Sequence, residues 1–319
     1  MADKIRSISE LNLDRFEKPI AELSLARSAG RLTIFCGSGV SIEAGIPTWE
    51  QLLLQLLESM ITRIAKNQHF TVGNHDPNIF QKKHGPSGLV IGRYLKSNLG
   101  KDFLPELRGA LYFNNPSTSA IIEALIELAR PQRDAKALDS IVTFNFDGLI
   151  EENLNRQGLC YKTISSEATR FDPGQLPIYH VHGYLPREGE IPLSNEIIFS
   201  EDAYHDQFMD PFSWSNLTQL NKLSQNTCLM LGLSLSDPNI RRLLDVANRK
   251  KPHDYLDHYI IKRKPIMPGS STVIDELAFL LEEQDANELG LNVLWVDEFE
   301  HIAPLISACS KTATYLNRL

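Results

Sequence analysis

The chain has 319 residues, 42% of them hydrophobic and 23% charged, and carries a formal net charge of −8. Those values describe an ordinary globular protein with enough apolar residues for a sizeable core, in one large or two small domains. The negative balance argues against direct nucleic-acid binding, no run approaches the roughly 20 uninterrupted apolar residues of a membrane span, and the charged N-terminal segment has no signal-peptide core, so a cytoplasmic protein is expected.

In chain order, residues 8–30 read as an amphipathic helix closed by Gly30. Leu32-Thr33-Ile34-Phe35-Cys36 is a short apolar run of buried-strand character and stops at Gly37-Ser38-Gly39. Thr48-Trp49-Glu50 opens a leucine-rich helix through Ile64. Residues 67–117, rich in Gly, Pro and Asn, predict irregular chain with helices near 87–99 and 101–112. A helix over 118–130 stops before Pro131. From Ser140 the signals alternate. Strands are expected at 140–144, 178–181, 227–231, 256–261 and 291–296. Helices are expected at 147–156, 201–224, 237–249, 272–284 and 299–316. This alternation predicts an α/β protein: a Rossmann-like parallel sheet with helices on both faces, and a smaller, mainly helical insertion at residues 61–135 between core segments 1–60 and 136–319.

Four strand ends carry candidate chemistry. Gly37-Ser38-Gly39-Val40-Ser41 follows the first strand, where small residues let backbone N–H groups approach a pyrophosphate; the same residues would also serve a tight turn that binds nothing. The GxGxxG dinucleotide fingerprint is absent, because position 42 is Ile. Thr143, Asn145 and Asp147 alternate along Thr143-Phe144-Asn145-Phe146-Asp147 and so tend to point one way, although Asp147 alone would equally be a helix N-cap. Ile178-Tyr179-His180-Val181-His182-Gly183 ends in two histidines that share one face by a period of two; a histidine here can act as a base near neutral pH. A metal at these histidines is not expected, since no third ligand is suitably spaced. Gly232 and Ser234, in Leu231-Gly232-Leu233-Ser234-Leu235-Ser236-Asp237-Pro238, could face a nucleotide, while Asp237 reads as an N-cap.

Two further features bear on partners and cofactors. The four cysteines (Cys36, Cys160, Cys228, Cys309) form no CxxC pair, so no structural zinc is expected; Cys36 and Cys228 read as core residues. Charge is uneven. Residues 61–101 hold seven basic side chains (Arg63, Lys66, Lys82, Lys83, Arg93, Lys96, Lys101) against Asp76, whereas residues 265–310 hold nine acids and no Lys or Arg. These are either two solvated faces or surfaces that meet between subunits of a homo-oligomer.

The order of motifs, a GxGxS loop leading to Gly45-Ile46-Pro47, then Thr-x-Asn-x-Asp, then His-Gly, then Gly-x-Ser, resembles the sirtuin family of NAD⁺-consuming proteins. The resemblance spans roughly Leu32 to Asn239 and makes residues 1–319 one sirtuin-like domain with its insertion. It implies that Gly37, Ser38, Gly39 and Ser41 line the dinucleotide phosphates and that Thr143, Asn145 and Asp147 lie beside the nicotinamide ribose. It further implies that His182 is catalytic and that Gly232 and Ser234 border the adenosine half. The departures are Thr48-Trp49-Glu50 after Gly-Ile-Pro and the missing zinc cysteines. They resemble the divergent bacterial sirtuin-like proteins, typically NAD⁺ hydrolases of anti-phage defence. The resemblance therefore implies NAD⁺ as substrate and no zinc. It also implies NAD⁺ glycohydrolysis by Asn145, His182 and Asp147, gated by assembly or by a separate sensor or HerA-type motor ATPase. A zinc-free deacylase or ADP-ribosyltransferase, or a catalytically silent NAD⁺- or ADP-ribose-binding subunit, are the alternatives.

Overall fold

In the computed structural model the described residues are 12–68, 73, 76–83, 88–131, 138–191, 196–249, 258–265 and 269–311. The parts of the expected first and last helices that fall at 8–11 and 312–316, and residues 256–257 of the strand expected over 256–261, lie outside them. After a short 3-10 turn the chain forms α1 (Glu17–Ser28), β1 (Leu32–Cys36), α2 (Gly39–Ile42), α3 (Trp49–Gln68), α4 (Asp76–Lys83), α5 (Gly88–Leu99), α6 (Phe103–Leu111) and α7 (Ala120–Ala129). It continues with β2 (Ser140–Thr143), α8 (Leu149–Arg156), β3 (Tyr161–Ile164), β4 (Leu176–His180), α9 (Glu201–Met209), α10 (Trp214–Gln225) and β5 (Thr227–Leu231). The last elements are α11 (Pro238–Asn248), β6 (His258–Arg263), α12 (Thr272–Glu288), β7 (Leu291–Val296) and α13 (Ile302–Lys311).

The seven strands form one parallel sheet in the order β3-β4-β2-β1-β5-β6-β7. All five residues of β1 are buried, as expected of a strand covered on both faces. The period of two divides the core. Ile34, Cys36, Leu229 and Leu231 face a cluster shared with α1, α3, α7 and α13, while Phe35, Cys228 and Met230 face one shared with α11. The first cluster runs without a break into the insertion through Leu53, Ile91, Leu95, Phe103 and Leu107. Phe199 ties these parts together. It is fully buried, and its ring centroid lies 4.7 Å from Trp49, 5.3 Å from Phe103 and 6.2 Å from Phe146. Among the described residues no helix is long and apolar enough to cross a membrane.

Local signals explain the boundaries. Thr48 opens α3 with a reciprocal cap: its Oγ1 accepts from the Gln51 N–H and its own N–H donates to Gln51 Oε1. Ser119 caps α7, and Gly30 turns the chain after α1 at φ +67. Two elements differ from expectation. The helix expected over 201–224 is two helices, broken at Asp210-Pro211-Phe212-Ser213. Proline lacks an N–H and disfavours a helical residue before it, and Ser213 starts α10 by accepting from the Asn216 N–H. Strand β3 was not expected at all; it is a half-exposed edge strand whose Tyr-Lys-Thr-Ile sequence lacks an apolar run.

Candidate active site

Strand order reverses at β1, which pairs with β2 on one side and with β5 on the other. Open parallel sheets bind ligands outside the carboxyl ends of the strands at such a point. A cleft of about 560 Å³ lies there, within the usual range for small-molecule sites. It is lined by the loop after β1 (Gly37, Ser38), the segment after β2 (Phe144 to Asp147), His182 after β4, and the loop after β5 (Gly232 to Ser234, Ser236 to Pro238), with Pro47, Trp49 and Leu52 on an apolar wall. Ser41 and Thr143 are fully buried behind this surface, and Gly39, which is partly exposed, does not line it.

The glycines allow the loops after β1 and β5 to touch. A Cβ on Gly37 would lie 2.5 Å from the Gly232 carbonyl oxygen, one on Gly39 would lie 2.7 Å from Gly232 Cα, and one on Gly232 (φ +64) would lie 2.6 Å from the Val40 nitrogen. The loops are also hydrogen-bonded: the Gly37 N–H donates to the Leu231 carbonyl and the Gly39 N–H to the Gly232 carbonyl. Two amides of the glycine loop are thus spent on the partner loop. Among the described residues no hydrogen bond is made by the N–H groups of Ser38, Leu233 or Ser234, which line the cleft.

Ser41 holds the Asn145–Asp147 pair. Its hydroxyl donates to Asp147 Oδ1 (3.2 Å) and accepts from Asn145 Nδ2 (3.2 Å), which also donates to the Gly37 carbonyl (3.1 Å). The Thr143 hydroxyl accepts from the Asn145 N–H (3.1 Å). With its amide nitrogen engaged twice, Asn145 keeps Oδ1 uncommitted at the cleft surface. Asp147 Oδ1 also accepts from the Leu149 N–H (3.1 Å), so the residue is a cap as well as a site wall. Burial raises its carboxyl to about 6; the bonds from Leu149 and Ser41 offset only part of that cost.

The two histidines do not share a face. Strand β4 ends at His180, so the period of two no longer governs His182. His180 is fully buried: Nδ1 donates to the Asn145 carbonyl (3.0 Å) and Nε2 meets Glu151 Oε1 at 2.7 Å. Burial opposes its protonation, but the Glu151 carboxylate outweighs this and holds its pKa above the usual value. His180 thus braces the backbone of Asn145 from below.

His182 faces the cleft. Its ring packs edge-on against Phe144 (4.9 Å) and Tyr204 (5.6 Å), and Nε2 lies 3.3 Å from Asp237 Oδ2. That approach is close enough for an ion pair but off the hydrogen-bonding direction, so Nε2 has a charge partner without a well-aligned bond. The other oxygen of Asp237 accepts from the Asn239 and Ile240 N–H groups at the start of α11. Burial opposes ionisation of Asp237, but His182 and these two amides outweigh it and hold the carboxyl below its usual range. Sequence reasoning found Asp237 as a cap and missed it as a site residue. The signal lay in its adjacency to Gly-x-Ser, but which histidine it would meet depends on sheet order. Glu151 was missed because its partner lies 29 residues away.

The fold is that of an α/β protein of the doubly wound, Rossmann-like class, with a cleft at the switch point. Comparison with known proteins adds a likeness: the family described as SIR2-like domain matches residues 139–284, a little under half of the chain. The chain is similar to two proteins named NAD(+) hydrolase ThsA. One, from Enterococcus faecium, is 21% identical over 92% of this chain and 58% of its own length. The other, from Acinetobacter baumannii (strain 532279), is 23% identical over 95% and 56%. The chain spans a little more than half the length of these relatives. A solved structure, "The Structural basis of Sirtuin Substrate Affinity", is 12% identical with a TM-score of 0.42 over 91% of this chain and 97% of that one.

Proposed function

We propose that this chain hydrolyses NAD⁺ to nicotinamide and ADP-ribose in the cleft at the carboxyl ends of β1, β2, β4 and β5. The observation that carries this reading is the convergence of Asn145 and His182 on one cleft, each with one polar atom in use and one free. The relatives named NAD(+) hydrolase support the choice of substrate.

The bond between nicotinamide nitrogen and ribose C1′ breaks with its electron pair passing to the ring, so nicotinamide leaves neutral. Positive charge develops at C1′, which a site must stabilise while admitting one nucleophile. Asn145 Oδ1 accepts from a ribose hydroxyl or from the attacking water. With Nε2–H turned to Asp237, the Nδ1 lone pair of His182 takes the proton of that water as its oxygen bonds to C1′. General-base help of this kind is typically worth about 10²–10⁴-fold. Asp147 holds Ser41 and the turn around Asn145. The phosphates lie against the Ser38 N–H, with Gly37, Gly39 and Ser41 shaping that edge, while Gly232 and the Ser234 N–H border the adenosine half. Trp49, Phe146 and Leu233 supply apolar walls that limit water.

An ungated NAD⁺ hydrolase would deplete its own cell. The reading therefore includes a role as the NAD⁺-depleting effector of an anti-phage system, with activity released by assembly or by a separate sensor or HerA-type ATPase. Incubation of the purified chain with NAD⁺, with and without an acylated peptide, tests the reaction by mass spectrometry of products. Nicotinamide plus ADP-ribose without peptide is the expected result. Products that require the peptide would make the chain a deacylase or transferase. Tight NAD⁺ binding with no turnover in any assembly state would make it a binding subunit.

A further inference from the structure

Helix α12 carries an apolar stripe on the wrong side for its own core. Val273, Ile274, Leu277, Leu280 and Leu281 repeat at the three- and four-residue spacing of one helical face, and each is between 50% and 71% exposed. The opposite side holds the helix to the domain. Phe279 packs on Trp295 at 4.8 Å, Asp285 pairs with Arg241 at 2.6 Å, Glu282 pairs with Lys262, and Ala286 is buried. A row of five large aliphatic side chains turned to water is costly for a folded domain and marks an interaction surface. Acids flank it: among the described residues Glu276, Glu283 and Glu288 have no ion-pair partner.

The same chain carries a complement. Helix α3 packs on both α4 and α5, and these helices expose Lys66, Lys82, Lys83 and Arg93, with Lys101 exposed in the turn after α5; none of the five has an ion-pair partner among the described residues, and they outnumber the exposed acids of α3, Glu50 and Glu58. On α4 the exposed Ile79 lies one turn before Lys82 and Lys83 and so shares their face; Ile64 on α3 and Tyr94 on α5 are exposed as well. We propose that the acid-flanked apolar face of α12 docks on the basic α3–α4–α5 face of a second copy of this chain. Pairing of α12 with its own copy would bring Glu276, Glu283 and Glu288 of both subunits together in a chain that is already at −8, and like charges at an interface oppose it. A stable interface buries about 1,200–2,000 Å² in total, more than one helical stripe supplies, so the charged rims take part. Because each subunit offers one face and receives on another, the contact either forms twice in a two-fold dimer or runs head-to-tail into a ring or filament, according to the rotation between neighbours.

This inference rests on surface chemistry alone and is read by mass, without turnover, so it stands or falls separately from the reaction assigned to the cleft. Sedimentation equilibrium of the full chain, over a concentration series at low and high salt, is compared for the wild type and two exposed-surface variants. These are Leu277→Lys with Leu281→Lys, and Lys82→Glu with Lys83→Glu; circular dichroism reports their folding. Should the first pair misfold, Glu276→Lys with Glu283→Lys replaces it. The wild type is expected to gain mass with concentration, and more so at low salt, while each variant alone stays monomeric. The two variants mixed each retain one good face, so they are expected to give a species of dimer mass and nothing larger. A wild type that stays monomeric at low salt overturns the proposal. So does association that survives both sets of substitutions, or that is lost in the α12 variant but kept in the lysine variant, or a mixture that stays monomeric.

Discussion

The two oxygens of Asp237 face different partners: Oδ1 caps α11 through the Asn239 N–H at 2.7 Å, and Oδ2 lies 3.3 Å from Nε2 of His182. One side chain thus fixes the start of a helix and holds a carboxylate oxygen against the histidine beside it. The two roles can be separated. Asn is as good a cap as Asp, so Asp237→Asn should leave stability nearly unchanged, whereas Asp237→Ala should lose about 0.5–2 kcal/mol with the cap. Both should slow NAD⁺ cleavage, by less than the roughly 10²–10⁴-fold expected for loss of the base itself. Urea unfolding alongside kcat measures both. Wild-type kcat in a folded Asp237→Asn would leave the residue as a cap alone.

Asp147 gives a pH signature. Burial raises its carboxyl to about 6, above the unfolded value of about 3.9. The native state therefore holds a proton that the unfolded chain releases. The stability this contributes is complete below about pH 4 and is lost as pH rises through about 6. Asp147→Asn keeps an acceptor for Leu149 and Ser41 but does not titrate. Relative to the wild type it should gain stability between pH 4 and pH 7.5, by on the order of 3 kcal/mol in total. Chemical unfolding of both proteins at the two pH values measures the difference. A gap that does not change with pH would contradict the account.

Much of this arrangement is legible in the sequence, and the remainder is hidden for definable reasons. The strand-to-helix switches at Cys36, Thr143, His180 and Leu231 appear as apolar runs ending in Gly, Asn or His, and sheet topology then brings them to one edge. The direction of a side chain beyond the end of a strand is less accessible. His180 and His182 read as a pair, yet one braces Asn145 and the other faces Asp237, because the regular backbone stops between them. Asp210-Pro211 carries the same break signal as Asp237-Pro238, but the helical pattern on both sides obscures it. The reason for three of the glycines lies in a contact between loops almost 200 residues apart, which no local pattern contains.

Those glycines make a packing prediction. Gly37→Ala and Gly232→Ala each push a methyl into backbone of the facing loop, and Gly232 also sits at positive φ, so each should cost about 1–3 kcal/mol or more. Gly109, inside α6 with nothing near its missing Cβ, is the control, and Gly109→Ala should gain about 0.5–1 kcal/mol. Thermal unfolding of the three variants checks the order.

Thiol reactivity tests the placement of the sheet. Cys36, Cys228 and Cys309 are buried, and burial raises the Cys36 thiol well above its usual range and that of Cys309 to about 12, while Cys160 is exposed. A thiol reagent should titrate one cysteine rapidly in the native protein and four in denaturant. Two or more fast native thiols would contradict this burial.

The central claim is that Asn145 and His182 act on the nicotinamide–ribose bond. It is tested most directly by measuring NAD⁺ binding by calorimetry, and nicotinamide release by chromatography, on wild type, Asn145→Ala and His182→Ala under conditions where the wild type turns over. Both variants should remain folded and bind NAD⁺ but release nicotinamide at least about 10²-fold more slowly than the wild type. A folded variant of either kind that releases nicotinamide at the wild-type rate would contradict it.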